Sequence, residues 1–272
     1  MSEIKAIPGV KIMLLGESGT GKTHSIRTLT DAGLEVFVLF TEPGMEVLSD
    51  VPSDKLHWHY VAPSAPAWDD MISSATKINT MSFDALTKLP DINKRKYAEF
   101  IEVLTCLSDF KCDRTGQAYG AVDSWDSDRV LVMDSLSGLN IMAMNLVAGS
   151  KPVKSMGDWQ VAVDNLERLL TKLCVDTRCH FVLTAHLERE TDEVTGGTTL
   201  VSATLGRKLG PKLPRFFSEV VHVKRVTDKF TWSTATSNVA TKNRYLSLAD
   251  NHKPSFAPII SSWKEKQKCN SK

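Results

Sequence analysis

No two of the five cysteines form a C-x-x-C pair, and their number is odd: Cys106, Cys112, Cys174, Cys179 and Cys269. That speaks against a zinc site or a disulfide framework and for free thiols in a reducing cytoplasm. Long apolar runs are missing too. No stretch approaches the ~20 residues that a membrane-spanning helix needs, so no membrane association is expected. The N-terminal apolar run breaks at Gly16, which is not the pattern of a signal peptide. Neither sign of charge dominates: 33 Lys and Arg stand against 32 Asp and Glu, a net charge of +1. Any surface for a polyanion must therefore be a local patch. Internal repeats and low-complexity segments are absent. What remains is a 272-residue chain that is 42% hydrophobic, enough for one large domain or a domain carrying an insertion.

Against that plain background one segment stands out. Gly16-Glu17-Ser18-Gly19-Thr20-Gly21-Lys22-Thr23 is a complete G-x-x-x-x-G-K-[ST] phosphate loop. A short apolar strand, Val10–Leu15, precedes it, and residues His24 to Leu29 can open a helix. The glycines let the backbone curl so that successive N–H groups converge on phosphate oxygens, and the start of the helix adds its positive end. The spacing puts Lys22 on the β- and γ-phosphates of ATP and the Thr23 hydroxyl on Mg²⁺. A glycine-rich turn that binds nothing would not need the flanking strand and helix.

Five short apolar runs have the look of buried parallel strands: Val10–Leu15, Leu34–Phe40, Arg129–Met133, His180–Thr184 and Glu219–Val223, with a weaker one at Leu56–Val61. Helix-like segments separate most of them, among them Asp164–Leu173. This alternation predicts an α/β fold, a mostly parallel sheet covered by helices on both faces. Toward the C-terminus, Lys229–Thr236 and Val239–Leu248 alternate around Ser237-Asn238 and predict a β-hairpin. The stretch from about Thr80 to Trp125, with helix-like residues Lys94–Ser108 and the glycine-bearing Asp113–Gly120, is too long for a simple connection. It reads as an insertion within an ATPase domain spanning 1–250, followed by a tail at 251–272.

Functional groups of open α/β sheets gather at the carboxyl ends of the strands. Asp134 closes the run Arg-Val-Leu-Val-Met-Asp, as a Mg²⁺-holding Walker B carboxylate does; it would alternatively cap the next helix. Glu42 follows Val-Phe-Val-Leu-Phe-Thr and could activate water as a general base; it would alternatively be a solvated turn residue before Pro43-Gly44. His186 follows His-Phe-Val-Leu-Thr-Ala and could sense the γ-phosphate, or simply be satisfied by the backbone.

The order of these features resembles the RecA-like ATPase core: phosphate loop, a second strand ending in a catalytic Glu, a Walker B Asp followed by Ser, and a fourth strand ending in a polar sensor. His186 departs from the Gln usual in RecA itself. The resemblance implies a DNA-contacting loop over Leu187–Leu205, with Gly196-Gly197 at its tip. Gly206–Arg215 follows with four basic residues and no acidic one. Arg207, Lys208, Lys212 and Arg215 are thus candidates for contacting single-stranded DNA, although Glu188, Glu190, Asp192 and Glu193 nearby would repel phosphates. Lys242-Asn243-Arg244 resembles the RecA element that reaches a neighbouring subunit's nucleotide, which implies a homo-oligomer with Lys242 and Arg244 acting in trans. A long filament is not expected, because the first strand begins at Val10 and leaves no room for RecA's N-terminal arm. The combination is closer to phage-encoded ATP-binding proteins of this type, including the Sak-type single-strand annealing ATPases. That resemblance implies an ATPase stimulated by single-stranded DNA in phage recombination or replication, in the host cytoplasm, with a phage or host single-strand-binding protein as partner. Two other readings stay open from the residues alone: a small-molecule or nucleotide kinase, and a loader or interaction module with little turnover.

Overall fold

Strand β1 (Lys11–Leu15) is apolar on both sides because it lies between two helical layers. Met13 and Leu15 enter one buried cluster, Ile12 and Leu14 the other. The computed structural model describes residues 7–65, 67–89, 96–191, 196–206 and 209–270. Among them β1 joins β2 (Glu35–Phe40), β3 (Leu56–Tyr60), β4 (Arg129–Asp134), β5 (His180–Ala185), β8 (Glu219–Val226) and β9 (Lys229–Ser233) in a seven-stranded sheet of order β3-β2-β4-β5-β1-β8-β9. All pairs are parallel except β8 with β9. The expected α/β architecture is therefore present. Helices α5 (Glu99–Ser108), α6 (Leu136–Ala148) and α7 (Met156–Thr171) cover one face. Residues of α2 (Thr28–Asp31) and α8 (Ala257–Asn270) pack into the cluster on the other. Between β1 and β2 the chain makes two short helices, α1 (Lys22–Ser25) and α2, rather than one continuous helix.

Local chemistry fixes where the longer helices begin. Ser155 accepts the Asp158 N–H while the Asp158 carboxylate accepts the Ser155 N–H, a capping box that starts α7. Ser135 caps α6 by accepting the Ser137 N–H at 3.2 Å.

Four features depart from the sequence expectations. The hairpin partner of Lys229–Ser233 is β8, across a turn at Thr227-Asp228, and not Val239–Leu248. Residues 239–248 contribute only isolated bridges, Leu200↔Val239 and Val220↔Lys242. The chain turns away after Lys242 because the buried Glu219 carboxylate accepts the N–H groups of Arg244, at 2.5 Å, and Tyr245. The expected tail at 251–272 is instead largely helix α8, with Ile259, Ile260 and Trp263 buried. The expected loop at 187–205 contains an antiparallel hairpin, β6 (Leu187–Thr191) with β7 (Thr198–Ser202).

The fourth departure is that the long connection leaves the sheet right after β3, earlier than Thr80. It holds α3 (Trp68–Thr80), which buries no residue, then α4 (Phe83–Thr87) and α5. Its later part returns to cover the exposed edge of β3. Asp113 donates its N–H to Trp58 O and accepts the Tyr60 N–H, each at 2.8 Å, and the Arg114 guanidinium lies 4.4 Å above the Trp58 ring. Covering an edge strand removes a template for aggregation.

At the amino end of the sheet three polar side chains tie strands and helix together. Lys11 Nζ donates to Thr177 O (3.1 Å), Thr177 Oγ1 (2.7 Å) and Cys179 O (2.7 Å). Trp263 of α8 donates to Pro8 O at 3.0 Å and meets the His180 ring edge-on at 4.7 Å. His180 Nδ1 accepts the Val10 N–H at 2.9 Å, so the ring must be neutral at that nitrogen. Burial pushes its pKa from 6.5 down to about 4, and the Lys11 charge adds to the effect. As pH falls below 6.5 the unfolded chain takes up a proton that the folded chain refuses until about 4. Stability therefore drops across that window, by up to roughly 3 kcal/mol from this group. His180→Asn, whose amide oxygen can still accept from Val10, should flatten the fall in urea-unfolding free energy between pH 6.5 and 4. An unchanged slope would exclude His180 as its source.

Candidate functional site

The loop that follows β1 has no space for a side chain at its first residue. A Cβ on Gly16 would lie 2.6 Å from Val223 O and 2.8 Å from Thr20 Oγ1. Gly19 and Gly21 take φ values of 73° and 87°, the left-handed region that glycine enters without strain. Thr20 ties the curl by donating to Glu17 O at 2.8 Å. Lys22 folds back beneath it, donating to Gly16 O and Glu17 O at 2.8 Å each. Burial lowers the Lys22 pKa to about 8, against the pull of the Asp134 and Glu42 carboxylates. A buried ammonium held by neutral carbonyls is poised for an anionic ligand.

Three strand ends converge beside this loop. Asp134, the last residue of β4, is 7% exposed. Its Oδ2 accepts from the Thr23 hydroxyl at 2.6 Å, and its Oδ1 accepts a short hydrogen bond from Thr184 of β5. Burial pushes the Asp134 carboxyl up; the two threonine bonds and Lys22 oppose that. Glu42, two residues past β2, accepts from Ser135 Oγ at 2.6 Å. His186, one residue past β5, brings Nε2 to 3.8 Å from Glu42 Oε2. The His186 imidazole is the largest influence holding Glu42 below its ordinary range, and Ser135 adds to it. Thr41 stitches β2 to β4: it donates to Ser135 O at 2.7 Å and accepts the Ser135 N–H at 3.0 Å.

Together Ser18–His24, Glu42, Asp134 and His186 line a cavity of about 300 Å³. The hard oxygens of Thr23 and Asp134, a hydroxyl and a carboxylate in direct contact, suit Mg²⁺. Sequence reasoning did not single out Thr184, Thr41 or the Ser135 hydroxyl as site residues. The available signal was a lone hydroxyl near the end of each apolar strand.

Other candidates lie elsewhere. Lys242 pairs with Val220 on the amino half of β8, opposite Met13 of β1, and its Nζ donates to Pro214 O at 3.4 Å. Arg244 is exposed nearby. Neither joins the phosphate loop of its own chain. Lys212 is exposed on the turn Gly210–Phe216. Arg215 is ion-paired with Glu167 at 2.7 Å and stacked on Phe216, 4.7 Å from its centroid. Arg207 and Lys208 lie outside the described residues.

Solved structures that overlay on the chain include an ATPase from the type III secretion system of pathogenic bacteria, with 16% identity, a TM-score of 0.42, and coverage of 80% of this chain and 53% of that one. EscN of enteropathogenic E. coli, in complex with its central stalk EscO, overlays with 12% identity, a TM-score of 0.45, and coverage of 97% and 53%. The flagellar accessory protein FlaH from Methanocaldococcus jannaschii gives 11% identity, a TM-score of 0.34, and coverage of 83% and 77%. The chain thus spans about half the length of the two secretion ATPases. No curated protein matches in sequence. The family model described as an AAA domain matches residues 8–245, the whole sheet and all of the cavity, and the chain belongs to that family of P-loop ATPases.

Proposed function

We propose that this chain hydrolyses ATP and couples turnover to single-stranded DNA, in phage recombination or replication. The observation that carries the ATPase reading is the convergence of Lys22, Thr23, Glu42, Asp134 and His186 on one cavity. Lys22 and the loop N–H groups would hold the phosphates. Thr23 and Asp134 would hold Mg²⁺, which when bound neutralises phosphate charge. Glu42, ionised and oriented by Ser135, is suited to take a proton from water. His186 would contact the γ-phosphate.

The DNA reading draws on the hairpin that begins one residue later. The His186 carbonyl accepts the Ala203 N–H at 2.8 Å, so the base of the β6–β7 hairpin is tied to the sensor residue itself. Beside that hairpin runs an open groove of about 530 Å³, lined by Arg189, by Glu188 and Glu190, and by the 38%-exposed Trp159, an aromatic against which an unpaired base could stack. Lys242 and Arg244 would complete a neighbouring subunit's site, because they lie away from the phosphate loop of their own chain.

Glu42→Gln should retain ATP affinity and hydrolyse about a hundredfold more slowly or worse, whereas Lys22→Ala should lose ATP binding. Wild-type turnover in Glu42→Gln would remove Glu42 from the mechanism. A product assay showing inorganic phosphate and no phosphorylated acceptor separates this reading from a kinase.

Neutralising Arg207, Lys208, Lys212 and Arg215 together should weaken single-stranded DNA binding. The slope of log affinity against log salt should shrink by about 0.7 for each DNA phosphate that the variant no longer neutralises. An unchanged slope would leave the cluster as a solvated face.

The Lys242→Ala/Arg244→Ala variant should bind ATP and turn it over poorly. Mixing it with Lys22→Ala protein should restore part of the activity, since one mixed interface then holds both intact halves. Activity independent of protein concentration, with no rescue on mixing, would argue for a self-sufficient monomer.

A further inference from the structure

The sheet order gives the phosphate loop two different sides. The strands that end at Glu42, Asp134 and His186 (β2, β4 and β5) all lie on one side of β1. On the other side, among the described residues, lie only β8 and β9. A triphosphate whose terminal phosphate faces the carboxylates must send its nucleoside out the opposite way, toward β8 and β9.

The β8–β9 hairpin is built to meet it there. β1 ends at Leu15, opposite His222, yet β8 continues to Val226. Those four further residues carry the hairpin about 13 Å past the end of β1, alongside the loop. Near its tip Arg225 and Phe230 face each other across the antiparallel pair, which puts both side chains on one face. The Arg225 guanidinium lies 5.5 Å from the Phe230 centroid, and Arg225 Nε donates to Thr227 O at 3.1 Å. Phe230 reaches the loop itself: a Cβ on Gly21 would lie 3.2 Å from Phe230 Cδ1. Even so, Phe230 keeps 43% of its surface exposed, and neighbouring Val226 keeps 62%. The core contacts of the extension end at Val223; beyond it, a large aromatic ring packed against the phosphate loop and left half open to water offers a flat apolar face to whatever that loop binds.

We infer that the Arg225–Phe230 pair is the subsite for the aromatic base of the bound nucleoside triphosphate. This rests on the proposed ATP reading and adds the part of the ligand that the phosphate loop does not read. The base lies against the open surface of Phe230, with the Arg225 guanidinium beside it as a second planar group. The loop binds phosphates of any origin; the hairpin makes the site prefer a nucleotide to bare polyphosphate.

The test compares ATP with inorganic tripolyphosphate, both with Mg²⁺, by calorimetric titration of the full chain. Wild-type protein should bind ATP at least tenfold more tightly than tripolyphosphate. Phe230→Leu, which still fills the space over Gly21 but has no π face, should lose about tenfold in ATP affinity, the scale of one base–aromatic stack. Its tripolyphosphate affinity should stay unchanged. Phe230→Tyr should behave as wild type, and Arg225→Ala should show a smaller loss confined to ATP. Equal weakening of both ligands in Phe230→Leu would make Phe230 a packing residue of the loop and overturn the inference. So would wild-type protein that binds the two equally, a result that leaves the phosphate-loop reading intact. Wild-type protein that binds neither would fail the nucleotide reading, and the inference with it.

Discussion

Asp134 is a carboxylate taken almost wholly out of water at the meeting point of three strands. A charge in that position is costly unless hydrogen bonds replace the lost solvent. Thr23 from the phosphate loop and Thr184 from β5 supply them, one to each oxygen. Satisfying Asp134 therefore fixes the loop against β4 and β5 at once. The next residue extends the hold, since Ser135 binds Glu42, caps α6 and exchanges hydrogen bonds with Thr41. One buried charge thus determines the distances among the groups that face the cavity.

The parallel sheet makes this arrangement available. Parallel strands deliver all their carboxyl ends to one edge, so polar residues that close separate apolar runs become neighbours without any local signal between them. The same edge carries two hairpins. β6–β7 grows from the residue after His186, and β8–β9 projects beside the phosphate loop. The amino edge has a different job. There Lys11, His180 and Glu219 are buried, and α8 closes the layer with Trp263. Chemistry at one edge and anchoring at the other divide the sheet.

Much of this was legible in the residues. The six expected strands of the parallel sheet fall where apolar runs of Val, Leu and Phe predict them, because burial on both faces demands near-continuous hydrophobicity. The phosphate loop is readable because its backbone needs glycine at specific points, and Gly19 and Gly21 do sit in the left-handed region. Lys22 and Thr23 could be proposed as partners from the motif, and Glu42, Asp134 and His186 from their places at strand ends.

Tertiary structure decided the rest. Alternation in Val239–Leu248 looked like a strand, yet Glu219 draws its backbone N–H groups away from the ladder, and a carboxylate twenty or more residues distant leaves no trace in a local pattern. The polar, lysine-rich 264–270 hid a helix whose buried apolar anchors are Ile259, Ile260 and Trp263. Thr184 and Ser135 carry ordinary hydroxyls whose importance comes only from what they touch. Sequence by itself determined the strand content, the phosphate loop and the set of polar groups that end the strands, because those depend on side-chain chemistry and chain-local geometry. Which hydroxyl meets which carboxylate, which strand pairs with β9, and which aromatic ring faces the loop were settled only by strand order and register.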